Sequence, residues 1–144
     1  MKKDCELWIV GEGDLKDAML QEINKYGIAD SVKWLGRRND VEQLMQGMDL
    51  LLQPSIFEGL GIVLVEAQAG GLQVLTSKDV VPNEANVTKA FNNERLDSAP
   101  NIWALRILDI ISRKDDRNNL ASSFPKQFDI NYEASRMENI IKDC

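Results

Sequence analysis

Over the first eighty residues, short apolar runs alternate with segments whose apolar positions recur every three or four residues. "ELWIV" (6–10) is a brief apolar run closed by Gly11, Glu12, Gly13 and Asp14, the pattern of a buried parallel strand. In "DLKDAMLQEINKYG", Leu15, Met19, Ile23 and Tyr26 fall on one helical face. Asp14 is the expected cap of that helix and Gly27 its stop. "SVKWLG" (31–36) predicts a second strand. "NDVEQLMQGM" (39–48) opens on cap residues and spaces Val41, Leu44, Met45 and Met48 as a helix does. "DLLLQPS" (49–55) predicts a third strand ended by Pro54. The helix after it holds Ile62, Val63, Val65, Ala67 and Ala69, and "LQVLTS" (72–77) predicts a fourth strand. "NVTKAF" (86–91) reads as a lone fifth strand. Beyond residue 100 the pattern is helical, over 101–113, 116–122 and 132–143, with Pro125 marking the joint.

Four strand–helix alternations with short loops predict an α/β fold, a Rossmann-like parallel sheet with helices on both faces. No repeat, low-complexity tract or linker interrupts the chain, so residues 1–144 are expected to form a single domain. A doubly wound sheet ordinarily has a strand–helix unit before the first glycine-rich turn seen here. The chain is therefore expected to begin partway into its own domain. Trp8, Trp34 and Trp103 are expected in the core, as are Ile102, Leu105, Ile107, Leu108 and Ile111 of the 101–113 helix. "SRKDDRNN" (112–119) is expected to be a solvated turn.

Composition narrows the function. The 144 residues are 44% hydrophobic and 28% charged, the balance of a soluble globular protein. A net charge of −6 disfavours a nucleic-acid partner. There is no histidine, which excludes a Ser-His-Asp triad, a Cys-His pair and any His-ligated metal within the chain. Cys5 and Cys144 lie at opposite ends without neighbours at metal-ligand spacing, and two free thiols are expected rather than one long-range disulfide. No apolar run approaches the length of a membrane span, and no signal-peptide pattern is read.

The candidate chemistry lies in "IFEGLGIVLVEAQAG" (56–70). Two carboxylates, Glu58 and Glu66, interrupt an apolar run rich in glycine. In open α/β sheets, ligands bind beyond the carboxyl ends of the strands. The loops at Gly11–Asp14, Gly36–Asn39 and Ser55–Gly61 are predicted at such ends. Gly59 and Gly61 leave backbone N–H groups free to face an anion at a helix start, and a phosphate is the natural guest. Glu66, among the apolar neighbours Leu64, Val65 and Ala67, is expected to need a partner, because an unpaired buried charge is costly. Ligand hydroxyls would serve. A sugar nucleotide, with hydroxyls at both ends and a diphosphate between, has that shape. The alternative for each glutamate is a solvated or lysine-paired surface acid.

The stretch "EGLGIVLVEAQAGGLQV" resembles the signature of retaining glycosyltransferase family 4, which has the two-domain GT-B fold. "IVGEGD", "VKWLGRRNDVEQLM", "DLLLQPSIFEG" and "NYEASRMENIIKD" resemble its other landmarks in order, across essentially the whole chain. The resemblance implies the C-terminal, donor-binding half of a metal-independent enzyme. It implies no cofactor, a nucleoside-diphosphate sugar as donor with a UDP-sugar favoured, and an N-terminal acceptor domain as partner. By resemblance, Glu58 takes the catalytic position and contacts the transferred sugar. Gly59, Leu60, Gly61 and Ile62 cradle sugar and phosphate, Glu66 holds the ribose, Gly36 and Arg37 meet the base, and Gly11 and Gly13 line the cleft floor. Leu60 stands where Phe is common and Gln73 where Pro is common, and "KDVVPNEAN" replaces a glycine-rich loop. The family's diphosphate-neutralising Arg/Lys pair and a frequently important His lie in missing upstream segments; Arg37, Arg38 and Lys78 are the basic residues nearest the predicted cleft. A cytoplasmic location, peripheral to the membrane, and bacterial polysaccharide assembly are implied by family alone. The chain by itself is expected to bind weakly and transfer nothing. Two other readings stay open. One is a dinucleotide oxidoreductase, although Lys16 stands where the third fingerprint glycine would fall. The other is a non-catalytic nucleotide-binding module.

Overall fold

A computed structural model describes residues 5–142. In chain order the elements are β1 (Leu7–Val10), α1 (Lys16–Lys25), β2 (Val32–Gly36), α2 (Val41–Gln46), β3 (Leu50–Gln53), α3 (Ile62–Ala69), β4 (Gln73–Ser77), β5 (Phe91–Glu94), α4 (Pro100–Ser112), α5 (Arg117–Ser122) and α6 (Ile130–Lys142). Every strand pair is parallel. The strands form two sheets, β1–β2 and β3–β4–β5, where the alternation predicted one. The chain divides into two compact units, one up to Val41 and one from Glu42 onward.

Two local expectations are corrected. Helix α1 starts at Lys16 with Leu15 at its N-cap, and no side chain caps it. The Gly13 carbonyl, in the place expected of Asp14, accepts the Lys16 N–H at 3.1 Å. The fifth strand is Phe91–Glu94, not 86–91. The cause is Gln68, which is buried in α3. Its Oε1 accepts the Val87 and Thr88 N–H groups at 3.2 and 3.0 Å, and its Nε2 donates to the Ala85 carbonyl at 2.7 Å. Backbone held by a side chain in this way is not free for a sheet ladder. The pairing state of the two cysteines involves Cys144, which lies outside the described residues; Cys5 is exposed.

The core belongs to the second unit. Strand β4 is buried along its whole length between β3 and β5, and Leu64, Val65 and Ala67 of α3 are buried with it. Among the described residues of the first unit, none is fully buried. The tryptophans are half-buried rather than core residues. Lys33 stands over the Trp8 ring at 5.9 Å and Lys16 over Trp34 at 5.4 Å, while Trp103 donates its indole N–H to the Arg95 carbonyl at 3.1 Å. Helix α4 buries Ile110, yet Ile102, Leu105 and Leu108 are exposed, so the core expectation holds for one face only.

Helix α3 ends in a Schellman arrangement. The Leu72 N–H reaches the Ala67 carbonyl at 2.9 Å and the Gly71 N–H reaches Gln68 at 3.0 Å, with Gly71 at φ +67°. This turn carries the chain from α3 directly into β4. It thereby fixes α3 against the sheet whose carboxyl ends form the candidate site.

Candidate functional site

The site in the second unit begins where β3 stops. Pro54 follows Gln53 and cannot donate to a ladder, so the strand ends there. The Gln53 carbonyl instead accepts the Ser55 N–H at 2.9 Å and the Thr76 hydroxyl at 2.9 Å. Thr76 is Gln53's register partner on β4. Five residues on, Glu58 is half-buried. Its Oε2 accepts the side-chain amide of Gln53, and the Ser55 hydroxyl at 3.4 Å.

The loop then turns into α3 through Gly61, at φ +72°. A β-carbon there would stand 3.1 Å from Leu64 Cδ1 and 3.5 Å from both Glu58 Cγ and Val81 Cγ1. Both the backbone conformation and the space call for glycine. Gly59 is open, with nothing within 4 Å of where its β-carbon would be. Leu64 and Val65 donate to the Gly61 carbonyl at 2.9 and 3.3 Å. The N–H groups from Gly59 to Val63 find no backbone acceptor among the described residues. Five consecutive free donors at a helix N-terminus make an anion-receptive surface, reinforced by the helix dipole.

Glu66 departs from expectation. Leu64, Val65 and Ala67 are buried as predicted, but Glu66 itself is exposed. Its neighbours in sequence point inward while it points out, as helical geometry allows. Burial therefore does not oblige this carboxylate to have a partner. It makes no hydrogen bond or ion pair among the described residues. Glu58 and Glu66 thus differ: one is held by side chains at the strand end, the other is free on the helix surface. Leu60 and Ile62 are exposed.

In the first unit, Gly11 (φ +130°) and Gly36 (φ +64°) come together, the Gly11 N–H donating to the Gly36 carbonyl at 2.8 Å. Gly13 lies just before α1. Arg37 is exposed and Arg38 is engaged, its guanidinium donating to both oxygens of Asp40 at 2.8 and 2.6 Å. That hydrogen-bonded pairing holds the Asp40 carboxyl below its ordinary range. Arg38 is thus not free for a diphosphate without breaking this pair. Among the described residues, neither Arg37 nor Lys78 forms an ion pair, and no group of three or more acidic, Cys or His side chains is placed to hold a metal.

Gln53, Ser55 and Ser77 were not legible as site residues. Among the described residues, Gln53 Oε1 and Ser77 Oγ are buried without hydrogen-bond partners, and they stand at the carboxyl ends of neighbouring parallel strands. The one signal in the sequence is polar residues closing apolar strands. After β4, Asp79 adopts φ +63° in the loop where the resemblance implied glycines.

The fold defined by these parallel sheets and helices is that of the GT-B glycosyltransferases. It matches the apo form of the lipopolysaccharide outer core galactosyltransferase WaaB with a TM-score of 0.76 at 21% identity, covering 96% of this chain and 41% of that one. The chain belongs to the glycosyl transferases group 1 family, which it matches over residues 1–127. It is 49% identical over 77 residues to the lipopolysaccharide glucosyltransferase WaaG of Escherichia coli, covering 54% of this chain and 20% of that protein. Anabaena HepE, in a structure in complex with UDP-glucose, matches at 25% identity and a TM-score of 0.56, over 81% of this chain and 38% of that one. The chain thus spans between a fifth and about two-fifths of these relatives' lengths. Family membership displaces the oxidoreductase alternative.

Proposed function

We propose that this chain is the donor-binding domain of a retaining glycosyltransferase, which moves a sugar from a nucleoside diphosphate to a hydroxyl of a glycan or lipid-linked acceptor. The observation that carries the proposal is the run of free N–H groups from Gly59 to Val63, bracketed by Glu58 and Glu66. The diphosphate lies against those donors. Glu58 receives hydroxyls of the transferred sugar, and the exposed Glu66 receives those of the ribose. Gly36 and Arg37 meet the base, and Gly11 and Gly13 line the floor. A UDP-sugar is the favoured donor, supported by the UDP-glucose of the HepE complex.

In the transfer step the anomeric carbon–oxygen bond to the diphosphate breaks, and the acceptor oxygen bonds to the same carbon with retention. The acceptor's proton passes to the departing diphosphate oxygen, whose bond to the anomeric carbon breaks. Negative charge grows on the leaving oxygens, where preorganised N–H donors stabilise it. Glu58 orients the sugar rather than attacking it: Gln53 and Ser55 hold its Oε2, and Oε1 is left to receive a sugar hydroxyl. The mechanism needs no metal or cofactor from this chain. Arg37 and Lys78 are local candidates for neutralising the diphosphate.

The rest of the machinery lies in the parent protein. Among the described residues, strands β1 (LWIV) and β3 (LLLQ) each have one ladder partner and an open edge. Apolar strands of that kind normally sit inside a sheet covered on both faces. This supports an upstream strand–helix unit within the same domain, preceded by an acceptor-binding N-terminal domain. Alone, the chain binds donor weakly and transfers nothing. No helix among the described residues is long and apolar enough to cross a membrane. The intact enzyme is proposed to work in the cytoplasm, at the membrane face, in polysaccharide or lipopolysaccharide assembly.

Titration calorimetry of the chain extended upstream, with UDP and UDP-glucose, separates the two carboxylates. Glu66→Ala weakens both ligands alike, whereas Glu58→Ala weakens UDP-glucose and spares UDP. Unchanged affinities in both variants would refute the assignment.

A further inference from the structure

Resting on the donor-site reading above, we propose that Gln53 is a positioning residue that sets which oxygen of Glu58 meets the sugar. Its side-chain amide donates to Glu58 Oε2, and Ser55 supports the same oxygen at 3.4 Å. Both donors converge on one carboxylate oxygen. Among the described residues, Glu58 Oε1 has no protein partner and is the oxygen left to accept a sugar hydroxyl.

Gln53 is itself fixed at two levels. Its backbone carbonyl is tied by the Thr76 hydroxyl at 2.9 Å and by the Ser55 N–H at 2.9 Å. Pro54 ends the strand immediately after it, so the side chain departs from a rigid strand terminus rather than from a loop. A carboxylate oriented by a group on a strand is held more closely than one oriented by a flexible loop.

The other end of the Gln53 amide is unsatisfied. Oε1 is buried and, among the described residues, has no hydrogen-bond partner. Being out of reach of solvent, it does not itself meet a ligand. With Nε2 committed to Glu58, the amide cannot flip without pairing an oxygen against a carboxylate. The amide is thereby fixed with its N–H toward the carboxylate, and Glu58 Oε1 is the oxygen left to a sugar hydroxyl. The pair distinguishes the sugar half of the donor and is indifferent to the nucleotide half.

The test uses the full chain and two ligands, UDP and UDP-glucose, with affinities read from NMR titrations. Gln53→Met keeps size while removing both polar atoms. It is expected to reduce the affinity for UDP-glucose about tenfold relative to UDP, the order expected for hydrogen bonds to a charged group. The affinity for UDP itself stays within twofold, which a merely structural role for Gln53 would not preserve. Gln53→Glu, which sets two carboxylates against each other, is expected to lose more. Ser55→Ala, which leaves the main contact intact, loses less and serves as the second variant should Gln53→Met fail to fold. A sugar-dependent difference unchanged in all three variants overturns the role of Gln53 while leaving the donor site standing. Failure of both the unaltered chain and the chain extended upstream to bind either ligand overturns the donor-site reading and this proposal with it.

Discussion

A β-carbon on Gly71 would stand 2.1 Å from the carbonyl oxygen of Arg117. The two residues meet where three helices are tied. Gly71 turns the end of α3 into β4, and Arg117 opens α5. The Arg117 guanidinium reaches across to the terminal carbonyls of α2, donating to Met45 at 2.9 Å and Gln46 at 2.7 Å. The close approach of the backbone at Gly71 lets one cation satisfy α2's terminal carbonyls while α5 packs against the turn.

Gly71→Ala is accordingly expected to destabilise the fold by about 3 kcal/mol or more, from the left-handed φ and from overlap with main-chain atoms that cannot rotate away. Urea unfolding of the two proteins measures it. A loss below about 1 kcal/mol would show that the α5 backbone yields easily.

Gln68 is the second structural hinge of the domain. Replacing it with Met keeps its volume and strands the Ala85 carbonyl and the Val87 and Thr88 N–H groups. The expected cost is about 1–3 kcal/mol, the penalty for buried polar groups left without partners. Amide exchange at Val87 and Thr88 should quicken in the variant even where the global fold persists. Unchanged protection there would contradict the role given to Gln68.

The end of β5 carries a pH-sensitive contact. The Ser98 hydroxyl donates to Glu94 at 2.7 Å and the Arg95 N–H at 2.9 Å, and together they hold the Glu94 carboxyl below its usual range. A lowered folded-state value stabilises above the unfolded pKa, about 4.3, and that stabilisation is lost as pH falls through the folded value. Ser98→Ala removes the larger cause, so the Glu94 titration should move upward. Carboxyl-carbon NMR between pH 2 and 6 reads it directly, and an unmoved titration would assign the shift to the Arg95 N–H and the nearby Arg106 and Lys78 charges.

Much of this fold was legible because its signals are local. Apolar runs such as "LQVLTS" gave β4 to within one residue. The glycines at 36, 61 and 71 occupy left-handed backbone. The misplacement of the fifth strand had a tertiary cause: Gln68 claims the backbone at Val87 and Thr88 from 19 and 20 residues away. The expected burial of Glu66 fails for a simpler reason: buried neighbours in sequence do not make a helical residue buried, and α3 keeps one side open with Glu66 on it. Gln53 was invisible because a polar residue ending an apolar strand has no periodicity to betray it. Its importance appears only when Glu58, five residues later, folds back onto its amide. The exposure of Leu105 on α4 likewise could not be read from a pattern that is apolar on most of the helix.

The most direct test of the central claim is an NMR titration of labelled chain with UDP, with GDP and ADP as comparisons. The account predicts amide shifts at Gly36 and Arg37 and from Glu58 to Glu66, saturating in the millimolar range and larger for UDP than for the other two. A folded spectrum in which residues 58 to 66 stay unmoved by millimolar nucleotide, with the upstream-extended chain equally silent, would contradict it.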